Sequence, residues 1–222
     1  MTKSSSRPRL HSPTLDPRLA RNYGEKNSDE VRFTYRDWAD TYDSELLDEF
    51  GYQAPNAAVE TLQKHLPSLD SVILDMGCGT GLVGELLHSL GYRHLDGLDL
   101  SPEMLEKAKA RGVYRTLGEA DLTETLEIEQ IYDAVICVGV FSHQRSQAFD
   151  LVKLFAGLKP NGVLVATVNG KGWRDIGWET LLEQSKREHG FQIEEISDIP
   201  YLTRQDIPGK LLVIRPKLSK SR

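Results

Sequence analysis

Short apolar runs alternate with amphipathic segments along most of the chain. The runs predict buried strands, and segments whose apolar residues recur every three or four positions predict helices. The predicted strands are residues 72–76, 94–99, 113–117, 132–138, 163–168, 191–196 and 210–214. The predicted helices are residues 33–50, 55–66, 82–90, 147–157 and 179–188, with a further helix that Ser101 caps and Pro102 begins.

This alternation of strand and helix is typical of an α/β protein with a doubly wound sheet. Right-handed crossovers then place helices on both faces of the sheet. Ligands of such sheets bind at the carboxyl ends of the strands, beside the first strand. On the helix that follows this strand, we expect four leucines to face the sheet, namely Leu82, Leu86, Leu87 and Leu90.

The two ends of the chain lack this pattern. Residues 1–30 are polar, contain several prolines and show no apolar periodicity, so we expect a disordered tail there. The first nine residues are serine-rich and basic, which leaves an organelle-targeting segment open as an alternative. Residues 31–216 are expected to form one domain, and residues 217–222 a basic C-terminal tail.

The composition narrows the class of protein. The 222 residues carry a formal net charge of −6 at pH 7, which disfavours nucleic acid as a partner. The two cysteines, Cys78 and Cys137, have no neighbours at metal-ligand spacing, so we expect no metal and a reducing, cytoplasmic location. No apolar run reaches the roughly 20 residues that cross a membrane. We expect a monomer or a homodimer without a membrane partner.

The segment after the first predicted strand carries candidate binding chemistry. Gly77, Gly79 and Gly81 separate this strand from a helix, and such a loop lets a ligand approach the backbone beside unpaired helical N–H groups. Asp75, near the end of the strand, would repel a phosphate and suits a cationic ligand. Asp99 ends the next strand, 18 residues beyond Gly81, where a carboxylate can accept hydrogen bonds from both hydroxyls of a ribose.

Several segments resemble motifs of the class I methyltransferases that depend on S-adenosylmethionine (SAM). Residues 73–81 (ILDMGCGTG) resemble the first motif, residues 95–104 (LDGLDLSPEM) the second, and residues 158–164 (LKPNGVL) the turn into the fifth strand. Residues 35–43 (YRDWADTYD) resemble the N-terminal helix of small methyltransferases. The resemblance implies a Rossmann-like sheet of about seven strands, mostly parallel with an antiparallel last strand, and N-terminal helices that cover the cofactor site.

The resemblance also implies which residues bind SAM. They are Trp38, Tyr42, Asp75, Gly77, Cys78, Gly79, Thr80, Gly81, Asp99, Leu100, Met104, Asp121, Leu122, Val138, Gly139 and Phe141. The N-terminal pair would close the pocket, the glycine loop would hold the methionine and ribose, and Asp99 would bind the ribose hydroxyls. The four named residues from Leu100 to Leu122 would surround the adenine. The three from Val138 to Phe141 would lie under the methionine end. Packing is the alternative role of Trp38, Tyr42 and Met104.

The acceptor side carries weaker signals. Methyl transfer from a sulfonium needs alignment and exclusion of water, so a general base is optional. His143, just beyond the fourth strand, is the candidate base, and a surface or capping histidine is the alternative. Trp173 and Trp178 lie among glycines at the expected mouth and would form either a mobile aromatic lid or a structural brace. Tyr201 and Arg204 would reach the same mouth.

These observations favour a SAM-dependent methyltransferase that acts on a small-molecule acceptor and releases S-adenosylhomocysteine (SAH). A protein methyltransferase and a non-catalytic SAM-binding scaffold stay open as alternatives, because no decisive motif marks the acceptor side. An NAD-dependent oxidoreductase is disfavoured. Its third glycine would follow the second by three residues, whereas Gly81 follows Gly79 by two, and Asp75 would repel the dinucleotide phosphate.

Overall fold

One seven-stranded sheet forms the centre of the molecule. The computed structural model describes Asp16, Leu19 and residues 28–141 and 151–217. In chain order the strands are β1 (Val72–Met76), β2 (His94–Asp99), β3 (Thr116–Glu119), β4 (Tyr132–Phe141), β5 (Leu158–Asn169), β6 (Phe191–Leu202) and β7 (Ile207–Pro216). Their order across the sheet is β3-β2-β1-β4-β5-β7-β6. β1 to β5 run parallel and β7 is antiparallel to both its neighbours, so the predicted sheet is confirmed.

Helices cover both faces of this sheet. In chain order they are α1 (Ser28–Trp38), α2 (Tyr42–Ser44), α3 (Ala54–His65), α4 (Leu82–Ser89), α5 (Pro102–Arg111), α6 (Gly170–Ile176) and α7 (Trp178–His189). A π-helix, Glu45–Glu49, continues α2, and 3₁₀ turns span Leu151–Phe155 and Thr203–Gln205. Ser101 caps α5 as predicted, because its hydroxyl accepts the amide hydrogen of Met104 at 3.3 Å.

The direction of winding reverses at β1. The chain runs from β1 outward to β2 and β3, and then returns to β4 on the other side of β1. At such a switch point the connections after neighbouring strands leave to opposite faces, which opens a crevice at their carboxyl ends. The glycine-rich loop after β1 and the tip of β4 border this crevice.

Each face of the sheet has its own apolar core. Ile73 and Leu74 are consecutive residues of β1, and both are buried because one side chain points into each core. The first core joins the sheet to α3 and α4, through Leu62 and Leu87 among others. The second core joins it to α7 through Leu182.

The observed rotation of α4 about its axis differs from the sequence prediction. Of the four leucines expected to face the sheet, Leu87 is fully buried, whereas Leu90 is 37% exposed. Val83 and Gly84 complete the buried face of the helix. The cause is the ring of Tyr114, which packs directly against Gly84 and so determines which side of the helix turns inward.

Other elements also differ from the sequence prediction. β3 begins at Thr116 rather than at residue 113, because Tyr114 turns inward under the glycine loop instead of joining the strand. The segment in which Trp173 lies among glycines forms α6, which Asn169 caps by accepting the amide of Lys171 at 2.9 Å. In the helix predicted over residues 147–157, the first four residues lie outside the described residues, and a 3₁₀ turn covers Leu151–Phe155.

Helical structure starts earlier than the helix predicted from residue 33. Helix α1 begins at Ser28, and Leu19 is 4% exposed. The physical reason is contact with the domain: Leu19 packs in the first core, and the hydroxyl of Ser28 donates to the carboxylate of Asp121. Within the part of the chain that the structure describes, no helix combines the length and apolar character needed to cross a membrane.

Replacing single leucines tests the observed rotation of α4. Because Leu87 is fully buried, Leu87→Ala should lower the free energy of unfolding by about 2–5 kcal/mol. Leu90→Ala, at the 37% exposed position, is the matched control and should change it by less than about 1 kcal/mol. Urea unfolding followed by circular dichroism measures both variants. Equal losses would contradict the observed orientation of the helix.

Candidate cofactor and acceptor site

The glycine loop, residues 77–81, is fastened to the end of β2. The amides of Gly77 and Cys78 both donate to the carbonyl of Leu98, at 2.7 and 3.0 Å. The amide of Gly79 donates to Oδ2 of Asp99 at 2.8 Å. These bonds are internal to the protein, so the shape of the loop does not depend on a ligand.

The three glycines of the loop have left-handed backbone conformations that side chains rarely adopt. The φ angles of Gly77, Gly79 and Gly81 are +77°, +55° and +91°. A Cβ added at Gly79 would meet no atom within 4 Å, whereas one at Gly77 would lie 2.3 Å from Cγ2 of Val140. Gly79 therefore borders open space, and Gly77 allows the loop to lie close to the tip of β4.

Asp99 ends β2 directly beside the loop. Its Oδ2 accepts the amide of Gly79, and its Oδ1 accepts the amide of Ser101 at 2.9 Å. The two backbone bonds orient the carboxylate at the carboxyl end of the sheet. A carboxylate can accept about four hydrogen bonds, so Asp99 can hold the loop and bind the hydroxyls of a ribose at the same time.

Asp75 lies beneath the same loop and is 2% exposed. Its Oδ2 accepts the hydroxyl of Tyr114 at 2.7 Å, and its Oδ1 has no hydrogen-bond partner among the described residues. Burial raises the pKa of Asp75 to about 7. The hydrogen bond from Tyr114 lowers this pKa, and the nearby charge of Asp99 adds to the increase. A buried acceptor without a partner is unfavourable, and a cationic group bound at the loop would compensate it, directly or through water.

These features fit SAM. The ammonium and sulfonium groups of its methionine part match the buried carboxylate of Asp75, and its ribose hydroxyls match Asp99. The open space at Gly79 lets a ligand approach the backbone. Cys78 and Thr80, the other two loop residues expected to bind SAM, are 5% and 2% exposed, so their side chains face the protein interior.

Asp43 connects α2 to the glycine loop. Its Oδ1 accepts the hydroxyl of Thr80 at 2.5 Å, and its Oδ2 pairs with Arg111 at 2.5 Å. Arg111 also donates from Nε to the carbonyl of Thr80 at 2.6 Å. These three residues form the loop latch, which holds the N-terminal helices over the loop. Sequence reasoning missed Asp43, although it follows Tyr42 within the segment that resembles the N-terminal helix of small methyltransferases.

Aromatic rings from several segments line a small, half-open pocket beside the crevice. This aromatic pocket is lined by Tyr35, Trp38, Tyr42, Tyr52 and Tyr201, together with Leu19, Leu46, Gly139, Asn169 and Leu202. The rings of Trp38 and Tyr42 pack edge to face at 4.8 Å, and those of Tyr52 and Tyr201 at 5.4 Å. Sequence reasoning did not single out Tyr35 or Tyr52. Tyr35 begins the segment that resembles the N-terminal helix of small methyltransferases, but its convergence with Tyr52 depends on the fold.

The tip of β4 lies between the glycine loop and the aromatic pocket. Val140 contacts the loop, and Gly139, with φ of +81°, lines the pocket so closely that an added Cβ would lie 2.6 Å from the hydroxyl of Tyr52. Phe141 is 1% exposed and packs in the second core, on the same face of β4 as Cys137. Its contact with the methionine end of SAM stays a prediction. Val138 is 8% exposed and belongs to the first core.

The residues expected around the adenine are Leu100, Met104, Asp121 and Leu122. Met104 is 1% exposed, whereas Leu100 and Leu122 each retain 9% exposure. Asp121 accepts the hydroxyl of Ser28, which brings the start of α1 to this end of the crevice. Contact of these residues with adenine stays a prediction.

The residues expected at the acceptor mouth lie in different surroundings. Trp173 and Trp178 are 7% and 3% exposed, and their rings stack at 6.3 Å in the second core, which favours the structural brace over the mobile lid. Arg204 is exposed, its guanidinium binds the carbonyl of Asp48, and it is not part of the pocket lining. Tyr201 does line the pocket. His143 lies outside the described residues.

The loop latch predicts that an N-terminal side chain contributes to cofactor affinity. Asp43→Ala should weaken SAH binding about tenfold, because hydrogen bonds to a charged group contribute roughly 1.5–3 kcal/mol each. Calorimetric titration measures the dissociation constant. The control is Asp40→Ala, which removes an exposed ion pair with Lys107 and should leave the affinity within about twofold. An unchanged dissociation constant in folded Asp43→Ala protein would exclude the proposed role of the latch.

Comparisons with known proteins agree with this geometry. Residues 73–162 match the family described as a methyltransferase domain. The chain is 37% identical over 140 residues to methyltransferase-like protein 27 of Homo sapiens, which covers 60% of this chain and 55% of that protein. It is 28% identical over 165 residues to ubiquinone biosynthesis O-methyltransferase of Xylella fastidiosa, which covers 68% of this chain and 63% of that protein. The chain thus spans less than two thirds of the length of these relatives.

A solved structure supports the same fold. Magnesium protoporphyrin IX methyltransferase from Synechocystis, with SAH bound, matches 90% of this chain and 93% of its own chain, with a TM-score of 0.59 and 19% identity. At this identity the likeness concerns the fold. The sheet order, the matched family and the fit of the glycine loop to SAM all agree. The resemblance to methyltransferases drawn from the sequence is thereby confirmed for residues 73–162, which match a methyltransferase domain and lie within a Rossmann-like sheet.

Proposed function

We propose that this protein transfers a methyl group from SAM to a hydroxyl oxygen of an uncharged small molecule bound in the aromatic pocket. One observation carries the proposal: the tip of β4 contacts the glycine loop through Val140 and lines the aromatic pocket through Gly139. A site suited to the methyl donor and a pocket suited to an acceptor therefore share one wall.

On this proposal the protein mainly binds and aligns. SAM supplies a methyl group that its positively charged sulfur already activates. Asp99 would bind the ribose hydroxyls, and the carboxylate of Asp75 would compensate the positive charge of the methionine part. The loop latch would keep the N-terminal helices in place over the loop. Alignment and exclusion of water are the main requirements of such a displacement.

The lining of the aromatic pocket supports an uncharged acceptor. Its described residues are aromatic, aliphatic or neutral polar, so a carboxylate would be buried there without a counter-charge. The ring faces favour a flat and partly apolar molecule. Ring faces also attract ammonium groups, so a cationic acceptor is the comparison that an experiment must include.

A hydroxyl oxygen is the proposed nucleophile. A relative that is 28% identical is named as an O-methyltransferase of ubiquinone biosynthesis, which supports an oxygen acceptor. Burial raises the pKa of Tyr42 and Tyr52 well above the ordinary value, and neighbouring tyrosines add to this shift. Both hydroxyls therefore stay protonated at neutral pH and would orient the acceptor by hydrogen bonds rather than act as bases. His143 stays the candidate base.

Cofactor binding is tested first. Wild-type protein should bind SAM and SAH by calorimetric titration, and Asp99→Ala should weaken both by at least about tenfold, since it removes hydrogen bonds to a charged acceptor. Asp70→Ala, at an exposed position before β1, is the control for the same substitution and should bind as the wild type does. A folded wild type that binds neither compound would exclude the methyltransferase function.

The acceptor class is tested with three catechols that differ in charge. Formation of SAH should be fastest with neutral catechol, and slower with anionic 3,4-dihydroxybenzoate and with cationic dopamine. Tyr52→Phe should raise the KM for catechol by about threefold or more while SAH affinity stays unchanged, because one neutral hydrogen bond contributes roughly 0.5–1.5 kcal/mol. Tyr92→Phe, whose hydroxyl binds the carbonyl of Leu66 away from the pocket, is the control.

The outcomes separate the alternatives. A preference for dopamine or for dihydroxybenzoate would overturn the uncharged acceptor. Binding of SAH without turnover of any small molecule would favour the protein methyltransferase or the non-catalytic scaffold.

A further inference from the structure

Three glycines from different elements make room for the ring of Tyr114. A Cβ added at Gly84 of α4 would lie 2.3 Å from both Cζ and the hydroxyl oxygen of Tyr114. Added Cβ atoms at Gly81 of the loop and Gly97 of β2 would each lie 3.2 Å from a ring carbon. A side chain that occupies a space cleared by three backbones has a restricted orientation, and this orientation points its hydroxyl at the base of the cofactor loop.

The hydroxyl of Tyr114 joins two parts of the candidate cofactor site. The amide of Gly84, in the first turn of α4, donates to this hydroxyl at 3.1 Å. The hydroxyl in turn donates to Oδ2 of Asp75 at 2.7 Å. Because Tyr114 accepts from the amide, its own hydrogen is directed at the carboxylate. This arrangement stabilises an ionised Asp75 and gives a protonated Asp75 no acceptor at the same oxygen.

We propose that Tyr114 is a positioning residue of the cofactor site: its hydroxyl holds the buried carboxylate of Asp75 in the ionised form that binds the amino-acid end of SAM, and so lowers the pH at which that affinity is lost. The inference rests on the proposed binding of SAM. It adds a residue that belongs to none of the motifs in the sequence and that contacts the carboxylate from behind the loop.

Among the described residues, the charged and titratable groups around Asp75 come from β2, the glycine loop, β4 and α5. Asp99, from β2, is the acidic neighbour whose charge raises the pKa of Asp75. Cys78 of the loop and Cys137 of β4 are buried thiols whose own pKa values burial raises, so both are neutral. Arg111 of α5 lies on the other side of the loop, where its guanidinium pairs with Asp43 and Glu85.

The sign of the pH dependence follows from the pKa of Asp75. This pKa is raised to about 7, so the carboxylate is ionised above neutral pH and becomes protonated as the pH falls through that value. A cationic ligand group binds the ionised form, and its affinity is therefore lost on the acidic side. Removing the hydroxyl of Tyr114 removes a bond that lowers the pKa of Asp75, so the loss of affinity should begin at a higher pH.

The experiment compares two ligands across pH in the full-length protein. SAH carries the amino-acid portion of SAM, and 5′-deoxy-5′-methylthioadenosine (MTA) lacks it. Calorimetric titration between about pH 6 and 9 should show that the wild type loses affinity for SAH by up to about tenfold per pH unit below neutrality, while its affinity for MTA stays nearly constant. Titration of the ligand's own amino group is common to all variants and cancels when variants are compared.

Tyr114→Phe should raise the pH at which half of the SAH affinity is lost by about half a pH unit or more. The affinity for MTA should change little. At the alkaline end the two proteins should bind SAH alike. Asp75→Asn, which keeps the shape of the side chain, should abolish the loss of SAH affinity below neutrality. Tyr92→Phe is the control for removing a buried tyrosine hydroxyl elsewhere and should leave the pH of half-lost SAH affinity unchanged.

The outcomes distinguish this inference from the proposed function. If the wild type binds neither SAH nor MTA, the proposed function itself fails. If it binds both, but Tyr114→Phe weakens them equally at every pH, Tyr114 has a structural role and the inference is overturned. If Tyr114→Phe does not fold, Asp75→Asn decides: an unchanged loss of SAH affinity below neutrality in that variant would also overturn it.

Discussion

The attachment of the glycine loop to the end of β2 is the constraint on which the rest of the site depends. Two loop amides share the carbonyl of Leu98, and a third binds the carboxylate of Asp99. This attachment sets where the loop ends, and so where α4 begins. In the first turn of α4, Gly84 packs against Tyr114, which in turn reaches Asp75. One set of backbone hydrogen bonds thus aligns a helix, a tyrosine and two carboxylates.

The two carboxylates of the site are chemically alike but have different surroundings. Asp99 is partly exposed and accepts backbone amides, which suits a residue that binds neutral hydroxyls. Asp75 is 2% exposed, and its buried Oδ1 has no hydrogen-bond partner in the part of the chain that the structure describes. Burial therefore controls its charge, and that charge is best compensated by a cation. The two aspartates therefore differ in proposed role because their environments differ, although their side chains are the same.

Sequence patterns predicted the features that depend on local chemistry. The strands, the glycine loop and the Ser101 cap could be identified because each needs particular residues at fixed spacing. The rotation of α4, the inward turn of Tyr114 and the burial of Trp173 and Trp178 could not, because they depend on contacts between segments distant in sequence. The tryptophans illustrate the limit: glycines around aromatic rings are compatible with a loop or with close packing, and only the sheet beneath them decides.

The adjacency of Tyr42 and Asp43 has a thermodynamic consequence. Tyr42 forms a wall of the aromatic pocket, and Asp43 binds Thr80 in the glycine loop, so one short helical turn contacts both candidate ligand sites. A ligand that orders this turn from one side spares the second ligand part of the ordering entropy. Such coupling is reciprocal, because each ligand must raise the affinity for the other by the same factor. The two ligands would therefore bind cooperatively, and dissociation of either one would lower the affinity for the other.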